Sequence, residues 1–343
     1  MNIDSALRLS AKRLSVELFS AGSVLSVYSL ATSFAVAFCA LLWRHRKRRG
    51  RVSARLVARA IAAKKSIFAR ESFHADVKLF VLSVVFMPAI VGALVVSTAT
   101  VTSGVQSALT HLFGAHDPVA VFDFRMKFVS TVALFLAYET GYWLDHFLKH
   151  RVPFLWELHK LHHTADVLTP LTNFRNHPLD SIVFGYMLAT FIGAASGVLA
   201  WFYGQKPEFF AVDGKNLLFI LFLWTIGHLQ HSQFWIPFRG VWGYLILSPA
   251  HHQIHHSDDP QHFNRNLGSV LAVWDWMFGT LEIPDEKNPR LTYGVDEPGV
   301  NPHSAFGMLA IPALKSATAL WAALALAAKS LTSALGAATA RQP

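Results

Sequence analysis

Long stretches of this chain contain no charged side chain. Residues 18–43 and 79–110 have no Asp, Glu, Lys or Arg, and both runs exceed the roughly 20 residues that a helix needs to cross a bilayer. Residues 128–144, 181–203 and 216–235 are also strongly apolar. Because a helix satisfies its own backbone hydrogen bonds in lipid, this pattern predicts an all-α, polytopic integral membrane protein with five spans. Buried helices of a large soluble core are the alternative for the last three segments.

Basic residues orient the predicted spans. A cluster directly follows the first span, at Arg44, Arg46, Lys47, Arg48, Arg49 and Arg51. The positive-inside rule assigns such a cluster to the cytoplasm, and alternating the later spans from there brings every histidine cluster to the cytoplasmic side. A hairpin at residues 79–110 would move those clusters outside, so we expect a single span there.

Composition agrees with a membrane setting and excludes some functions. Hydrophobic residues make up 53% of the chain and charged residues 15%. The net charge of +9 is concentrated beside the first span, where anionic lipid is a nearer partner than nucleic acid. Residues 51–68 fit either a basic amphipathic helix on the membrane surface or an ordinary solvated face. The single cysteine, Cys39, excludes a disulfide framework.

The same pattern suggests three regions. Residues 1–76 hold the first span and the basic segment, and residues 77–290 form the main membrane domain. Residues 291–343 are rich in Ala and Leu but interrupted by lysines. We expect this tail to form helices on the membrane face or against the core, without chemistry of its own.

Clustered histidines recur at helical spacing. The pattern His-x-x-His-His occurs twice and a His-x-x-x-His pair precedes it, giving His146, His150, His159, His162, His163, His252, His255 and His256. Residues three and four apart on a helix share a face, so each cluster should project its imidazoles toward one point. Unpaired buried imidazoles are costly, whereas a bound metal satisfies them. The clusters therefore predict a metal centre.

The donor set narrows the choice of metal. Imidazole suits iron, zinc and copper, and about ten clustered histidines are enough for two ions. The carboxylates of soluble di-iron bundles are missing, so we expect two Fe ions, which zinc could replace on isolation. A membrane zinc-binding or metal-transporting protein is the alternative, although transport sites usually lie near the bilayer midplane. Isolated histidines are not expected to bind the metal; these are His45, His74, His111, His116, His262 and His303.

The order and spacing of the histidines and their neighbours resemble the fatty acid hydroxylase and sterol desaturase superfamily between residues 130 and 283. Beyond the histidine clusters, the resemblance is carried by Asp145, Trp156, Arg175-x-His177-Pro178, His231-Ser232, Pro249, Asn266-x-Gly268, Trp274-Asp275 and Phe278-Gly279-Thr280. Within the superfamily, the segment 249–280 is similar to the sterol desaturase-like and alkylglycerol monooxygenase-like branch.

The resemblance implies an oxygenase with a histidine-ligated di-metal site at the cytoplasmic side of a four-helix membrane stalk. Spans two to five would form the stalk, and the first span would be an addition. The implied metal ligands are His146, His150, His159, His162, His163, His231, His252, His255 and His256. His228, three residues before His231 on the same helical face, is expected to complete the set. His177 and Asp275 match family positions and would orient ligand imidazoles from behind. Glu139, one to two turns before His146, could do the same or could equally be a carboxylate hydrogen-bonded between spans. His251 lies out of register and is expected to be a bystander.

The implied chemistry is O2-dependent hydroxylation or desaturation of an unactivated C–H bond in a membrane lipid, such as a sterol-like, fatty acyl or ether lipid. The chain has no dinucleotide-binding or haem-attachment motif, so a separate redox partner protein or reductant is expected. The ether-lipid members of the branch use a tetrahydropterin. We expect a multi-pass protein of a bacterial inner membrane rather than of the endoplasmic reticulum.

Overall fold

The computed structural model describes residues 3–49 and 65–339, and most of these residues are helical. The helices are α1 (Ile3–Phe19), α2 (Val27–Arg49), α3 (Glu71–Val85), α4 (Met87–Leu94), α5 (Thr98–Phe113), α6 (Phe124–Arg151), α7 (Pro153–His163), α8 (Pro178–Tyr203), α9 (Leu217–Phe222), α10 (His228–Gln230), α11 (Val241–Leu245), α12 (Pro249–His255), α13 (Val273–Phe278) and α14 (Ala305–Thr339). Short strands β1 (Ala211–Val212) and β2 (Lys215–Asn216) pair as an antiparallel hairpin. The prediction of a mostly helical chain is confirmed. The proposed basic amphipathic helix lies largely outside the described residues.

Small residues let α8 pack tightly against α5. A Cβ atom on Gly193 would lie 2.6 Å from Cβ of Val101, and one on Gly197 would lie 2.6 Å from Cβ of Val105. Later residues of α5 contact later residues of α8, so the two helices run parallel. Close approach of this kind is typical of helices that pack within a membrane.

The helix α6 runs back in the opposite direction. Near its start, the backbone carbonyl of Met126 lies 3.5 Å from the hydroxyl of Tyr203 at the end of α8. Near its other end, the ring of Tyr142 packs edge-on against Phe184. The end of α6 and the start of α8 therefore lie together, and we call this side of the bundle the histidine end.

A broken helix also returns to the histidine end. The β-hairpin is tied to α6 by a hydrogen bond from Asn216 Nδ2 to the carbonyl of Thr131, and α9 starts from it. Residues Leu223–Gly227 then form a π-helical turn before α10. Such turns are rare and occur often at functional sites. The segment ends directly before His231.

A buried arginine braces the histidine end. The guanidinium of Arg175 forms an ion pair of 2.8 Å with Asp76 on α3 and donates to the carbonyl of Leu161 on α7. It also contacts Thr164 and Nδ1 of His303. Because a buried charge is tolerated only when it is paired and hydrogen-bonded, this network fixes α7 against α3.

The candidate membrane spans differ in part from the predicted ones. Within residues 3–49 and 65–339, three helical segments are long and apolar enough to cross a membrane, namely Met87–Phe113, Pro178–Tyr203 and Ala305–Ser330. The shorter apolar helices are Val27–Trp43 and Leu217–Gln230. The predicted span at 79–110 is divided among α3, α4 and α5, and the predicted span at 128–144 lies within α6, which does not meet the same criteria.

Within the C-terminal tail, residues Ala305–Thr339 form one long helix, α14. Its first part packs on α7, where Ser316 Oγ donates to the carbonyl of Phe154 at 2.7 Å and Met308 joins the core cluster of Leu161 and Leu79. The first part of α14 thus packs against the core, and α14 also contains a segment long enough to span a bilayer.

Candidate metal centre

Nine histidines form two groups at the histidine end. The first, called the five-histidine group, contains His146, His150, His159, His163 and His255. The second, called the four-histidine group, contains His162, His231, His252 and His256. Within each group, one ring nitrogen of every member lies within 4.8 Å of those of the others, and all members except His150 are buried.

Each His-x-x-His-His cluster is divided between the two groups. On α7, His159 and His163 belong to the five-histidine group, whereas His162 belongs to the other. On and just after α12 the assignment is reversed, because His252 and His256 join the four-histidine group and His255 the five-histidine group. Residues i and i+4 share a helical face, so each cluster serves two points rather than the single point expected from the sequence.

Helix starts position these clusters. Pro153 and Pro249 lie in the first turn of α7 and α12, where the lack of an N–H and the fixed φ angle of proline favour a helix start. Ser248 caps α12 by accepting a hydrogen bond from the backbone N–H of His251. The side chain of His251 faces back to Ser248, away from both groups.

Hydrogen bonds fix the rings of the five-histidine group. Nδ1 of His146 lies 2.7 Å from the carbonyl of Leu267, and Nδ1 of His255 lies 2.8 Å from the carbonyl of Arg265. A carbonyl can only accept, so each Nδ1 carries the proton and each Nε2 offers a lone pair. Burial lowers the pKa of His150, and the side chain of Asn264, which lies near the ring, raises it by less. The Nε2 atoms of all three rings are buried without a partner among the described residues.

The loop 264–268 supplies these partners, and Asp275 holds the loop. Asn264 and Asn266 adopt positive φ angles of 59° and 56°, in the left-handed region that asparagine tolerates better than most residues. The Asp275 carboxylate accepts the backbone N–H groups of Leu267 and Gly268, both at 2.8 Å. Burial raises the pKa of Asp275, and hydrogen bonds from Thr280 and these N–H groups lower it. Asp275 therefore acts on His146 through the backbone, not by direct contact.

An ion-pair network supports another member of the group. Lys149 is buried and its Nζ lies 2.7 Å from Asp145 and 2.8 Å from Asp180. The second oxygen of Asp180 lies 3.5 Å from Nδ1 of His159. Sequence reasoning assigned no role to Lys149 or Asp180. Their available signals were the i,i+4 spacing of Asp145 and Lys149, and the position of Asp180 soon after the His177-Pro178 pair.

The four-histidine group has a different arrangement. Nε2 of His231 lies 3.2 Å from that of His162, 2.9 Å from that of His252 and 3.0 Å from that of His256. Metal–nitrogen bonds of about 2.0–2.1 Å place tetrahedral ligand atoms about 3.3 Å apart, so these nitrogens converge as ligands of one ion would. The Nδ1 atoms of His162, His231 and His256 have no partner among the described residues.

Burial keeps the imidazoles neutral. Loss of hydration lowers the pKa of His162, His163, His252 and His256 well below the usual value, and neighbouring imidazoles lower it further. The pKa of His255 falls to about 3, chiefly through burial. Both groups therefore present neutral imidazoles, which is the form in which histidine can bind a metal ion.

The remaining residues singled out from the sequence lie elsewhere. His228 is outside both groups, with Nε2 3.0 Å from the hydroxyl of Ser29. Glu139 accepts the backbone N–H groups of Val270 and Leu271 at 3.1 and 2.7 Å. His177 accepts the N–H of Leu179 at the start of α8 and contacts the carbonyl of Leu309 at 2.9 Å. No contact between Glu139, His177 or Asp275 and a ligand imidazole is found among the described residues.

A cavity of about 740 Å³ adjoins the two groups. His146 and His159 of the five-histidine group and His162 and His231 of the four-histidine group line one end of it. The volume falls within the range of about 300–1,000 Å³ typical of ligand pockets. The rest of the cavity lies between α6, α8 and the α9–α10 segment.

The fold and the site define a helical membrane protein with buried histidine clusters at one end of its bundle. Residues 131–280 match the family model of the fatty acid hydroxylases, and this part of the chain is similar to alkylglycerol monooxygenases and sterol C5(6)-desaturases. The resemblance inferred from the sequence is thereby confirmed.

Curated relatives include oxygenases and desaturases. The chain is 29% identical over 173 residues to alkylglycerol monooxygenase of Homo sapiens, covering 48% of this chain and 32% of that protein. It is 24% identical over 157 residues to alkylglycerol monooxygenase of Caenorhabditis elegans, covering 45% and 27%. It is 29% identical over 151 residues to a putative Delta(7)-sterol-C5(6)-desaturase of Arabidopsis thaliana, covering 42% and 44%. The matched segment thus spans about a third of the monooxygenases. No solved structure matches the chain.

Proposed function

We propose that the protein uses O2 to hydroxylate an unactivated C–H bond in a membrane lipid at a di-iron centre. The observation that carries this proposal is the convergence of two buried imidazole groups on one end of a lipid-sized cavity. Its relatives carry names that specify alkylglycerol and sterol oxidation, which supports a lipid as the substrate.

The residues fit two metal ions. The five-histidine group would hold one ion through the unpartnered Nε2 atoms of His146, His150 and His255, together with His159 and His163. The four-histidine group would hold the second ion through its converging Nε2 atoms. Iron bound there would supply the reductive activation of O2. The protein would hold the ions, exclude water and orient the lipid.

The reaction requires an electron donor. In a hydroxylation, one atom of O2 enters the C–H bond and the other leaves as water, which consumes two electrons and two protons. In a desaturation, the same two electrons and O2 remove two hydrogen atoms from adjacent carbons and yield two waters. We propose that a separate redox protein or a tetrahydropterin supplies the electrons.

The histidine end is proposed to face the cytoplasm, where such a donor is available. The basic residues that follow the first apolar segment support this orientation. Single cysteines at Gln261 on the histidine end and at Asp117 on the opposite end, in a Cys39→Ser background, test it. A membrane-impermeant thiol reagent applied to sealed cells should label position 117 and spare position 261. The reverse labelling would contradict the orientation.

Oxygen-isotope incorporation tests the reaction itself. The protein would be purified anaerobically, loaded with ferrous iron in nanodiscs made from the host's lipids, and given a chemical reductant under 18O2. We expect one 18O atom in a hydroxylated lipid, and no such product from His255→Ala. An alkene without 18O would indicate desaturation. Metal-loaded protein that oxidises no lipid in vitro, and whose deletion leaves the cellular lipid profile unchanged, would contradict the proposal and favour a zinc-binding or transporting role.

A further inference from the structure

The cavity beside the histidines is elongated. Along α8, its lining residues recur at about one helical turn, from Ser181 through Phe184, Leu188 and Ile192 to Ser196. A helix rises about 1.5 Å per residue, so Ser181 and Ser196 are about 22 Å apart along the axis. One face of α8 therefore lines the cavity from the histidine end through most of the bundle.

The facing helices present a similar stripe. On α6, the cavity is lined by Tyr142, Tyr138 and Leu134, which lie about one, two and three turns before His146 and so progressively farther from the histidine end. Phe219 lines the cavity from α9. Aromatic rings thus project into the cavity along much of its length. A flexible hydrocarbon chain can pass between such rings by rotating its C–C bonds, whereas a rigid fused-ring lipid cannot. The shape favours one extended chain as the occupant.

Residues 20–24, near the N-terminus, lie against the half of the cavity that is farther from the histidines. Asp213 in the β-hairpin accepts hydrogen bonds from Ser20 Oγ at 2.7 Å and from the N–H of Gly22 at 3.0 Å. A Cβ atom on Gly22 would lie 2.6 Å from the carbonyl of Val212, so only glycine allows this close approach. Two residues later, Val24 lines the cavity and packs against the apolar cluster that contains Phe135 and Phe222.

We propose that the cavity is a tunnel that binds one hydrocarbon chain and selects it by length. The oxidised carbon would lie at the histidines and the methyl end against Val24. An extended chain advances about 1.25 Å per carbon, because C–C bonds of about 1.5 Å meet at tetrahedral angles. A length of about 22 Å therefore accommodates roughly 17 carbons beyond the oxidised one. The segment around Val24 lies outside the residues matched to the family, 131–280, so the family match does not supply this limit. This inference rests on the proposed function, because the chain in the tunnel is taken to be the lipid that the protein oxidises.

Chain-length selectivity provides the test, with binding as a readout separate from turnover. Metal-loaded protein in nanodiscs would bind a fluorescent polyene fatty acid, which straight-chain alcohols from decanol to docosanol would displace. We expect displacement by the wild type to reach an optimum near octadecanol. In Val24→Trp, the side chain is longer by about 4 Å, which should shorten the optimum by roughly three carbons. Val27→Trp is the matched control, because Val27 is 47% exposed and does not line the cavity.

A second pair of variants guards against misfolding. Ile192→Trp narrows the tunnel from α8 and should also shift the optimum to shorter alcohols, whereas Val198→Trp, at a 48% exposed position of the same helix, should not. An unchanged optimum in a folded Val24→Trp or Ile192→Trp would overturn the tunnel, as would a sterol displacing the probe better than every alcohol. Lipid oxygenation with unchanged selectivity would overturn only the tunnel. Length-selective binding without any oxygenation would overturn only the proposed function.

Discussion

The two histidine groups differ in the partners of the ring nitrogens that would not bind the metal. In the five-histidine group, Nδ1 of His146 and Nδ1 of His255 are hydrogen-bonded to carbonyls of the loop 264–268, whereas Nδ1 of His159 lies 3.5 Å from Asp180 without a hydrogen bond. In the four-histidine group, the Nδ1 atoms of three rings have no partner among the described residues. Partners behind a ligand fix its tautomer and ring orientation. The first group is therefore preorganised, while the second would depend on the ion itself to fix its rings.

Preorganisation should make the two ions unequal. A preorganised group spends little free energy on ordering its side chains when the ion binds. We therefore expect the five-histidine group to bind its ion more tightly than the four-histidine group, although both reach the same cavity.

Removal of a ligand should have the largest effect. His255→Ala takes one ligand from the five-histidine group, and His252→Ala takes one from the four-histidine group. Because both ions are needed for the proposed chemistry, each variant should lose more than about a hundredfold in lipid oxygenation, exceeding the effect of losing a partner behind a ligand. Metal analysis should find that His252→Ala keeps one tightly bound ion. Full activity in His255→Ala would remove this residue from the site.

Loss of the Asp275 carboxylate, which holds the loop 264–268, should have a smaller effect that is confined to the five-histidine group. Asp275→Asn weakens the hold on Leu267 and Gly268, and hence on the carbonyl that orients His146. The affinity of the five-histidine group should fall about ten- to a hundredfold, measured by competition with a chelator, while the other group is unaffected. Asp117→Asn, at an exposed position on the opposite end, is the control. An equal loss at both groups would mean that Asp275 acts on the fold as a whole.

Removal of the Asn264 side chain should have the smallest effect. Asn264→Gly keeps a residue that tolerates the positive φ angle of 59° but deletes the amide that lies near the ring of His150. Affinity for the ion of the five-histidine group should fall by about tenfold or less. Asn288→Gly, at a position in the exposed loop after α13, should leave it unchanged. If Asn264→Gly had a larger effect than Asp275→Asn, the loop would not be held as described.

Local spacing explains what could be predicted from the sequence. Helical periodicity is a local property, so it indicated the apolar helices and the clustering of histidines on α6, α7 and α12, although not their division between two groups. The pair His228 and His231 shows its limit. A π-helical turn precedes His228, and His231 lies past the end of α10 with φ −97° and ψ 71°. The rule for residues three apart therefore does not hold there, and His228 turns to Ser29 instead.

The supporting contacts could not be predicted because they join distant parts of the chain. Lys149 and Asp180 come from two helices, and the loop that orients His146 lies 121 residues after it. The Asn266-x-Gly268 and Asp275 motifs were visible, but their role depends on backbone atoms that carry no sequence signal. Val24 likewise meets the cavity only through the tertiary fold.

Stepwise removal of metal tests the central claim most directly. Protein purified anaerobically from iron-fed cells would be analysed for total metal by mass spectrometry and then titrated with a chelator. Zinc counts equally with iron for stoichiometry, since histidine sites bind zinc more tightly than ferrous iron. We expect two ions per chain, released in two steps, the first from the four-histidine group. In Asp275→Asn, the four-histidine group should release its ion at the same chelator concentration as in the wild type. A single ion per chain, or two ions released in one step, would contradict the account of two unequal histidine groups.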